Sequence, residues 1–250
     1  GTAERLGVGY EQLSAINPRL VYCSISGYGS DGPYRDRPGQ DLLLQGYSGS
    51  MYTVGALGDP PVPGAISAAD AMSGYQADIG ILAALLARER LGRGQHVEVD
   101  MFSVVLDAQL QELVTFLNTG RQPKRTAEYS AHGFLPAPYG VYQTKDGWMS
   151  IAMSPLPRLG EVLDDDWLRT LDKYNDGHDH RDEVYARIRH AFEGRTTAEW
   201  VAACDEHGVW AGPVYDYAGL AEDPHLLATG AFTTQPHRDG TEVRTIRPPL

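Results

Sequence analysis

A short apolar run near the start of the chain ends in glycines: Leu20-Val21-Tyr22-Cys23-Ser24-Ile25-Ser26-Gly27-Tyr28-Gly29. Because β-branched and aromatic residues favour strands, this run predicts a buried strand followed by a glycine-rich loop. Residues 30–40 are rich in Gly, Pro, Asp and Arg, which predicts an irregular loop. Apolar residues between Leu42 and Met51 then recur with a helical period, so a helix is expected after the loop.

The longest predicted helix begins near Asp70 and stops at Gly92. Large apolar residues recur along it at helical spacing, which predicts its buried face. These residues are Met72, Tyr75, Ile79, Leu82 and Leu86. A strand over 95–100 and a helix over 102–117 follow. The order strand, helix, helix, strand, helix predicts an α/β fold.

The pattern changes after a polar, proline-containing connector. A hairpin is predicted around Lys145-Asp146-Gly147, followed by amphipathic helices over 156–173, 182–193 and 197–207. Beyond Gly208 the chain is expected to be mostly extended. We therefore predict a large α/β domain over 1–120, a linker over 121–137, a small α+β domain over 138–207, and an extended second linker over 208–250 that returns toward the large domain.

Composition and charge exclude several classes of protein. The 250 residues are 42% hydrophobic and 22% charged, as is typical of a globular protein. With 21 Lys and Arg against 33 Asp and Glu, the net charge of -12 would repel nucleic acid. No apolar run approaches the roughly 20 residues that cross a bilayer. The two cysteines, Cys23 and Cys204, are expected in the core, and we predict a cytoplasmic location.

Gly27-Tyr28-Gly29-Ser30-Asp31-Gly32 matches the dinucleotide fingerprint G-x-G-x-x-G. That site needs a helix directly after the third glycine, so that the helix N-terminus can bind pyrophosphate. Pro38 blocks a regular helix here. The motif is therefore interpreted as a glycine-rich turn.

Asp176-Gly177-His178-Asp179-His180 gathers several types of metal ligand. Ligands in one short polar segment rarely form a preorganised site, so a solvated acidic loop is favoured over a metal site. We expect no metal.

Asp70 is the candidate that bears most directly on function. At the start of a helix, the dipole and free N–H groups favour an ionised carboxylate, which is what a carboxylate nucleophile needs. The small residues Ser67, Ala68 and Ala69 leave it approachable. Spacing alone nevertheless favours a helix-capping Asp over a catalytic one.

Several motifs together resemble the class III CoA-transferases, the family that includes formyl-CoA transferase and carnitine CoA-transferase. The resemblance covers nearly the whole chain and implies part of a Rossmann-like large domain plus a small α+β domain. The matching residues are Ser26-Gly27-Tyr28-Gly29-x-x-Gly32-Pro33-Tyr34, Asp36-Arg37-Pro38-Gly39-x-Asp41, Ala69-Asp70, Gly80-Ile81-Leu82-Ala83-Ala84-Leu85, Leu91-Gly92-Arg93-Gly94-Gln95, Tyr142-x-x-x-Asp146-Gly147 and Gly208-Val209-x-Ala211-Gly212-Pro213-Val214.

The resemblance implies that Asp70 is the nucleophile of a CoA-transferase. Its carboxylate would attack an acyl-CoA, and CoA would pass through aspartyl intermediates to a small carboxylic acid. CoA is then a substrate, and no tightly bound cofactor is expected. The resemblance also implies a set of CoA-binding residues, with Gln40 near the thioester, Met101 in the CoA channel and a loop at His132-Gly133 over the site. The full set is Arg37, Gly39, Gln40, Met101, His132 and Gly133.

Family members also form an intertwined homodimer, which the resemblance implies here. They carry a Rossmann-like N-terminal segment and a C-terminal return that we do not match in this chain. Two alternatives follow. A 2-methylacyl-CoA racemase would keep Asp70, but it would need His at the position of Gln40 and Glu where Ser154-Pro155 stands. A truncated module without activity is the other.

Overall fold

The computed structural model describes residues 2–127, 131–173 and 175–249. The chain divides into two compact units, Gly1–Phe134 and Leu135–Leu250. The boundary between them falls inside the segment predicted as the first linker. Helices and strands are mixed in both units, which confirms the predicted α/β class.

Unit 1 is built on two parallel strands, whose register runs from Tyr22 opposite His96 to Ser26 opposite Asp100. Both strands and the long helix near Asp70 were predicted, and all three are confirmed. Its elements in chain order are α1 (Thr2–Arg5), α2 (Tyr10–Ile16), β1 (Tyr22–Ser26), α3 (Asp41–Ser48), a 3₁₀ turn (Ser50–Tyr52), α4 (Ala68–Leu91), β2 (His96–Asp100), α5 (Met101–Ala108) and α6 (Leu110–Thr119).

The predicted helix over 102–117 is two helices, because Gln109 between α5 and α6 leaves the helical conformation. Its φ is -113° and its ψ is 32°. The side-chain amide of Gln109 donates a hydrogen bond to the Ser48 carbonyl at 3.0 Å, which ties this break to the end of α3.

The buried face of α4 differs from the predicted one. Small residues face the interior, namely Ala69, Ser73, Ala77 and Ala84. Four of the predicted core residues are instead 61–66% exposed, namely Tyr75, Ile79, Leu82 and Leu86. The helix lies very close to β2: a methyl group added at Gly80 would sit 2.6 Å from Val97 Cγ1. Only small side chains allow that approach, so the large ones face outward.

Unit 2 contains a three-stranded antiparallel sheet in the order β3-β4-β5, and the predicted hairpin is confirmed as β3 and β4. Its elements are β3 (Gly140–Gln143), β4 (Trp148–Ile151), α7 (Leu156–Leu163), α8 (Asp166–Arg169), α9 (Asp176–Asp179), α10 (Arg181–Phe192), α11 (Thr197–Glu206), β5 (Ala211–Pro213), α12 (Tyr217–Ala221), α13 (Pro224–Ala228), β6 (Phe232–Pro236) and β7 (Glu242–Ile246). Large side chains form its core. They include Tyr142, Met149, Leu159, Ile188, Phe192 and Trp200.

Two local predictions in unit 2 were wrong. The helix predicted over 156–173 breaks at Asp164, whose φ of 54° is left-handed. Residues 176–179, predicted as a loop, form the one-turn helix α9, and Asp176 accepts the N–H of Lys173 at 2.9 Å.

The segment over 208–250, predicted as mostly extended, contains β5, two short helices and the hairpin of β6 and β7. Aspartates start both helices, since Asp216 accepts the N–H of Gly219 and Asp223 that of Leu226. Such caps allow helices as short as α12 and α13 to form. β5 pairs with β4 and so completes the sheet.

Candidate active site

Two glycines close the loop between β1 and α3 at its base. A methyl group added at Gly27 would lie 2.5 Å from the Gly39 Cα, so the two backbones touch. The Gly27 carbonyl also accepts the N–H of Phe102 at 3.1 Å, which attaches the point where the two backbones touch to the start of α5. Only glycine fits at either position. Gly39, predicted as a CoA-binding residue, therefore has a structural role that is visible directly.

Aromatic rings hold the loop and position Arg37. Three tyrosine rings pack together, with no two of their ring centres more than 6.0 Å apart. They are the rings of Tyr28, Tyr34 and Tyr47. The Arg37 guanidinium lies 4.1 Å from the centre of the Tyr34 ring and donates to the Tyr47 hydroxyl at 2.8 Å. The side chain is thus held on the surface by stacking and one hydrogen bond. It carries a positive charge with no carboxylate partner among the described residues.

The first turn of α4 is fixed by hydrogen bonds to both backbone groups of Ala69. The Asp41 Oδ1 accepts the N–H of Ala69 at 2.7 Å, although 28 positions separate the two residues. The Ser73 hydroxyl donates to the Ala69 carbonyl at 2.6 Å. Ala69 is 1% exposed and packs with Leu44 and Val105. The residue directly before Asp70 is therefore immobilised.

Asp70 itself lies exposed in that first turn, at the third position of α4. Ser67 occupies the N-cap position, and its side chain makes no capping hydrogen bond. Over residues 2–127, 131–173 and 175–249, no hydrogen bond or ion pair of the Asp70 carboxylate is found. The capping role considered for Asp70 is thus filled by Asp41, which belongs to a family motif but was not predicted as a site residue.

A second side chain fastens Asp41. The Gln45 amide nitrogen donates to Asp41 Oδ2 at 2.5 Å, and its oxygen accepts the N–H of Gly64 at 2.8 Å. Gln45 is 7% exposed. Together these bonds tie α3 to the loop that leads into α4. No local sequence pattern signals this connection, because its members are far apart in the chain.

The remaining predicted binding residues are placed by different contacts. Gln40 is the exposed N-cap residue of α3, and its side chain makes no cap bond. Met101 is partly buried and packs on the cluster that contains Ala69. The structure thus brings Met101 to the base of the Asp70 turn.

His132 and Gly133 contact α6 and the segment that follows α3. The His132 Nε2 lies 3.3 Å from Glu112 Oε1 on α6, and its Nδ1 accepts the N–H of Phe134 at 3.3 Å. Gly133 donates its N–H to the Thr53 carbonyl. These contacts fasten the loop to α6 and to the turn after α3.

A cavity of about 880 Å³ lies at the carboxyl ends of β1 and β2, where α/β folds commonly bind ligands. None of the predicted CoA-binding residues lines it. Its wall contains five acidic residues and one basic residue, Arg35. The acidic residues are Glu4, Asp31, Asp36, Glu98 and Asp100. This charge does not suit the phosphates of CoA.

Both thiols are kept protonated by their surroundings. Burial, with a contribution from Asp78, raises the pKa of Cys23. Burial raises the pKa of Cys204 to about 11, and this residue lies in the unit 2 core as predicted. Neither is a nucleophile at neutral pH, because the thiolate is the reactive form.

Comparison with known proteins identifies the family. The model of CoA-transferase family III matches residues 1–250, so this chain belongs to that family. It is 31% identical to a succinate–glutarate CoA-transferase of Agrobacterium fabrum, over 98% of this chain and 62% of that protein. It is 34% identical to an acetyl-CoA:oxalate CoA-transferase of Acetobacter aceti, over 91% and 60% respectively.

A solved structure supports the fold. A CAIB/BAIF family protein from Brucella suis superposes with a TM-score of 0.81 at 29% identity, covering 100% of this chain and 66% of that one. This chain therefore spans about three fifths of the length of these curated relatives and two thirds of that structure. Among the residues described here, no helix is both long and apolar enough to cross a bilayer.

Proposed function

We propose that this protein is a class III CoA-transferase, which moves CoA from an acyl-CoA to a small carboxylic acid through Asp70. The observation that carries the proposal is the exposed Asp70 carboxylate in the first turn of α4, spared from capping by Asp41. Family membership supports the reaction class. The names of the relatives support a thioester donor and a carboxylate acceptor.

The chemistry uses one carboxylate four times. Asp70 attacks the thioester carbonyl, and CoA leaves as thiolate, which gives a mixed anhydride. The thiolate attacks the Asp70 carbonyl of this anhydride and releases the donor acid, which leaves an aspartyl-CoA thioester. The acceptor carboxylate then displaces the thiolate to form a second anhydride. The thiolate attacks the acceptor carbonyl of this anhydride, which yields the new acyl-CoA and releases the Asp70 carboxylate. Covalent storage of the acyl energy avoids its loss to water.

The position of Asp70 suits this role. Its side chain is exposed at the start of α4, and a carboxylate is the nucleophile that the reaction needs. Each attack creates an oxyanion that needs hydrogen-bond donors. We assign CoA contacts to Arg37 for phosphate, Gln40 and Met101 along the thioester arm, Gly39 at the loop base, and the His132-Gly133 loop above the acyl group.

The proposal extends to assembly and location. We propose an intertwined homodimer in the cytoplasm, with no tightly bound cofactor. The dimer is supported by an exposed apolar stripe on α4, since large exposed apolar patches mark interfaces. The stripe consists of Tyr75, Ile79, Leu82 and Leu86. Sedimentation of the full chain would show a dimer, and replacing Leu82 with Asp would shift it toward monomer.

Trapping of the intermediate tests the reaction. The full chain is incubated with succinyl-CoA, acetyl-CoA or oxalyl-CoA, quenched with hydroxylamine, and digested for mass spectrometry. A hydroxamate on Asp70 is expected, and it should be absent from Asp70→Asn and present in Asp78→Asn. Absence of an adduct with all donors would overturn the proposal. Solvent deuterium at the α-carbon of a branched acyl-CoA, without CoA transfer, would favour the racemase instead.

A further inference from the structure

Two carboxylates have separate tasks at the first turn of α4: Asp70 lies within the turn, and Asp41 reaches it from α3. A helix start leaves unsatisfied N–H groups, and the third helical position is the one from which a side chain can turn back toward the N-cap to satisfy one of them. Asp70 holds that third position, and the N-cap Ser67 does not cap. Asp70 is therefore the local residue best placed to be used as a cap.

Asp41 takes that task from a different helix. Its Oδ1 accepts the Ala69 N–H at 2.7 Å, and its other oxygen is occupied by the Gln45 amide at 2.5 Å. Gln45 is buried and its own oxygen accepts the N–H of Gly64. The Asp41 side chain is thus held in place before any ligand arrives.

From this geometry we propose that Asp41 is a positioning residue for the nucleophile. By capping Ala69 it keeps the Asp70 carboxylate out of the helix end and exposed to substrate. This inference rests on the proposed function. It predicts that without Asp41 the Asp70 carboxylate turns back onto the free N–H groups, which removes its lone pairs from reaction.

The replacement Asp41→Ala removes the cap and should have two effects. The rate of acyl-adduct formation on Asp70 is expected to fall by about 10- to 100-fold, as for a misplaced reacting group, with a much smaller change in KM. Coupling of glycine ethyl ester to Asp70 by a carbodiimide, read by mass spectrometry, should slow as well. This second readout needs no CoA substrate.

Conservative variants separate positioning from folding. Asp41→Asn keeps an oxygen for Ala69 but places an NH₂ against the Gln45 amide, so partial loss is expected. The swap Asp41→Asn with Gln45→Glu restores a donor–acceptor pair and should recover most of the rate. Asp78→Ala, which removes one exposed carboxylate from α4 without touching the cap, is the matched control. Circular dichroism checks the fold of each variant.

Amide hydrogen exchange at Ala69 completes the experiment. Exchange should accelerate in Asp41→Ala and remain slow in Asp41→Asn and in the swap. Normal Asp70 labelling and adduct rates in Asp41→Ala would overturn the inference, as would equal losses in Asp78→Ala. The two proposals can also fail separately. If the wild-type chain couples glycine ethyl ester at Asp70 and this coupling slows in Asp41→Ala, but no acyl adduct forms, the proposed reaction is refuted. The role of Asp41 in keeping the carboxylate exposed is then still supported.

Discussion

The two units of this chain use apolar residues in opposite ways. Unit 2 buries large side chains completely, with Phe192 and Ile188 at 0% exposure. In unit 1, helix α4 buries alanines and leaves its own large residues, such as Tyr75 and Leu82, on the surface. A core of large side chains stabilises unit 2 within itself. Close helix–sheet contact through small residues gives unit 1 a fixed frame around Asp70 instead.

The largest effect should come from Asp70→Asn in unit 1. The amide is isosteric but is a far weaker nucleophile, so we expect transfer between succinyl-CoA and an acceptor acid to fall by at least about 10³-fold. The free energy of unfolding should change by less than about 0.5 kcal/mol, because the side chain is exposed and forms no hydrogen bond or ion pair with the residues that the structure describes. Initial rates and urea unfolding measure both quantities. If Asp70→Asn retained its transfer rate, the proposal that the nucleophile lies in unit 1 would be contradicted.

The opposite pattern is expected for Phe192→Ala in unit 2. This side chain is fully buried, packs edge-on against Trp200 with ring centres 5.0 Å apart, and leaves a large cavity when removed. Loss of about 3–5 kcal/mol in the free energy of unfolding is expected. Calorimetry of both variants would compare the units directly. As a control, Leu57→Ala at a site 72% exposed in unit 1 should cost little. A small loss at Phe192 would contradict the view that large side chains stabilise unit 2.

Gly39→Ala should produce an intermediate effect in unit 1. Its new methyl group would strike the Gly27 backbone, and a backbone cannot move aside as a flexible side chain does. We expect a loss of about 1–3 kcal/mol in the free energy of unfolding, with a lower transfer rate because the loop bearing Arg37 shifts.

Gly74→Ala on α4 is the matched control for the Gly39 change. A methyl group there meets nothing within 4 Å, and alanine favours helix. That variant should gain up to about 1 kcal/mol. Equal changes in the free energy of unfolding for Gly39→Ala and Gly74→Ala would show that the contact with the Gly27 backbone does not determine the effect at Gly39.

Sequence alone predicted the elements that depend on local pattern. The strand before Gly27 and the hairpin at Lys145-Asp146-Gly147 are encoded by adjacent residues, and both are present. The buried face of α4 was predicted wrongly, because periodicity shows that a helix has an apolar side but not which side its neighbours can approach. The close approach of Gly80 to Val97 determines which side of α4 is buried, and this approach is visible only in the three-dimensional structure.

The site shows the same limit. Its motifs pointed to Asp70 and to the glycines, whereas the bond from Asp41 to Ala69 joins residues 28 positions apart. No helical or strand period links such positions. The contact of Gly27 with Gly39 is equally invisible in sequence, although both glycines belong to quoted motifs.

The smallest effect concerns a turn of unit 2 between β6 and β7, remote in sequence from the unit 2 core. Hydrogen bonds from Thr241, together with His237, lower the pKa of Asp239 to about 2 from its ordinary 3.8. Because the folded pKa is depressed, the carboxylate stabilises the turn above about pH 4, and this contribution is lost as pH falls toward 2.

Nuclear magnetic resonance of the Thr241 amide should therefore show a transition near pH 2, while core amides such as that of Ile188 stay constant over the onset of that change. Asp239→Asn keeps an acceptor for Thr241 and should abolish the transition. A midpoint at the ordinary value would mean that the turn does not hold its carboxylate in place. A core response at the same pH would show that unit 2 is less independent of its surface than its buried side chains indicate.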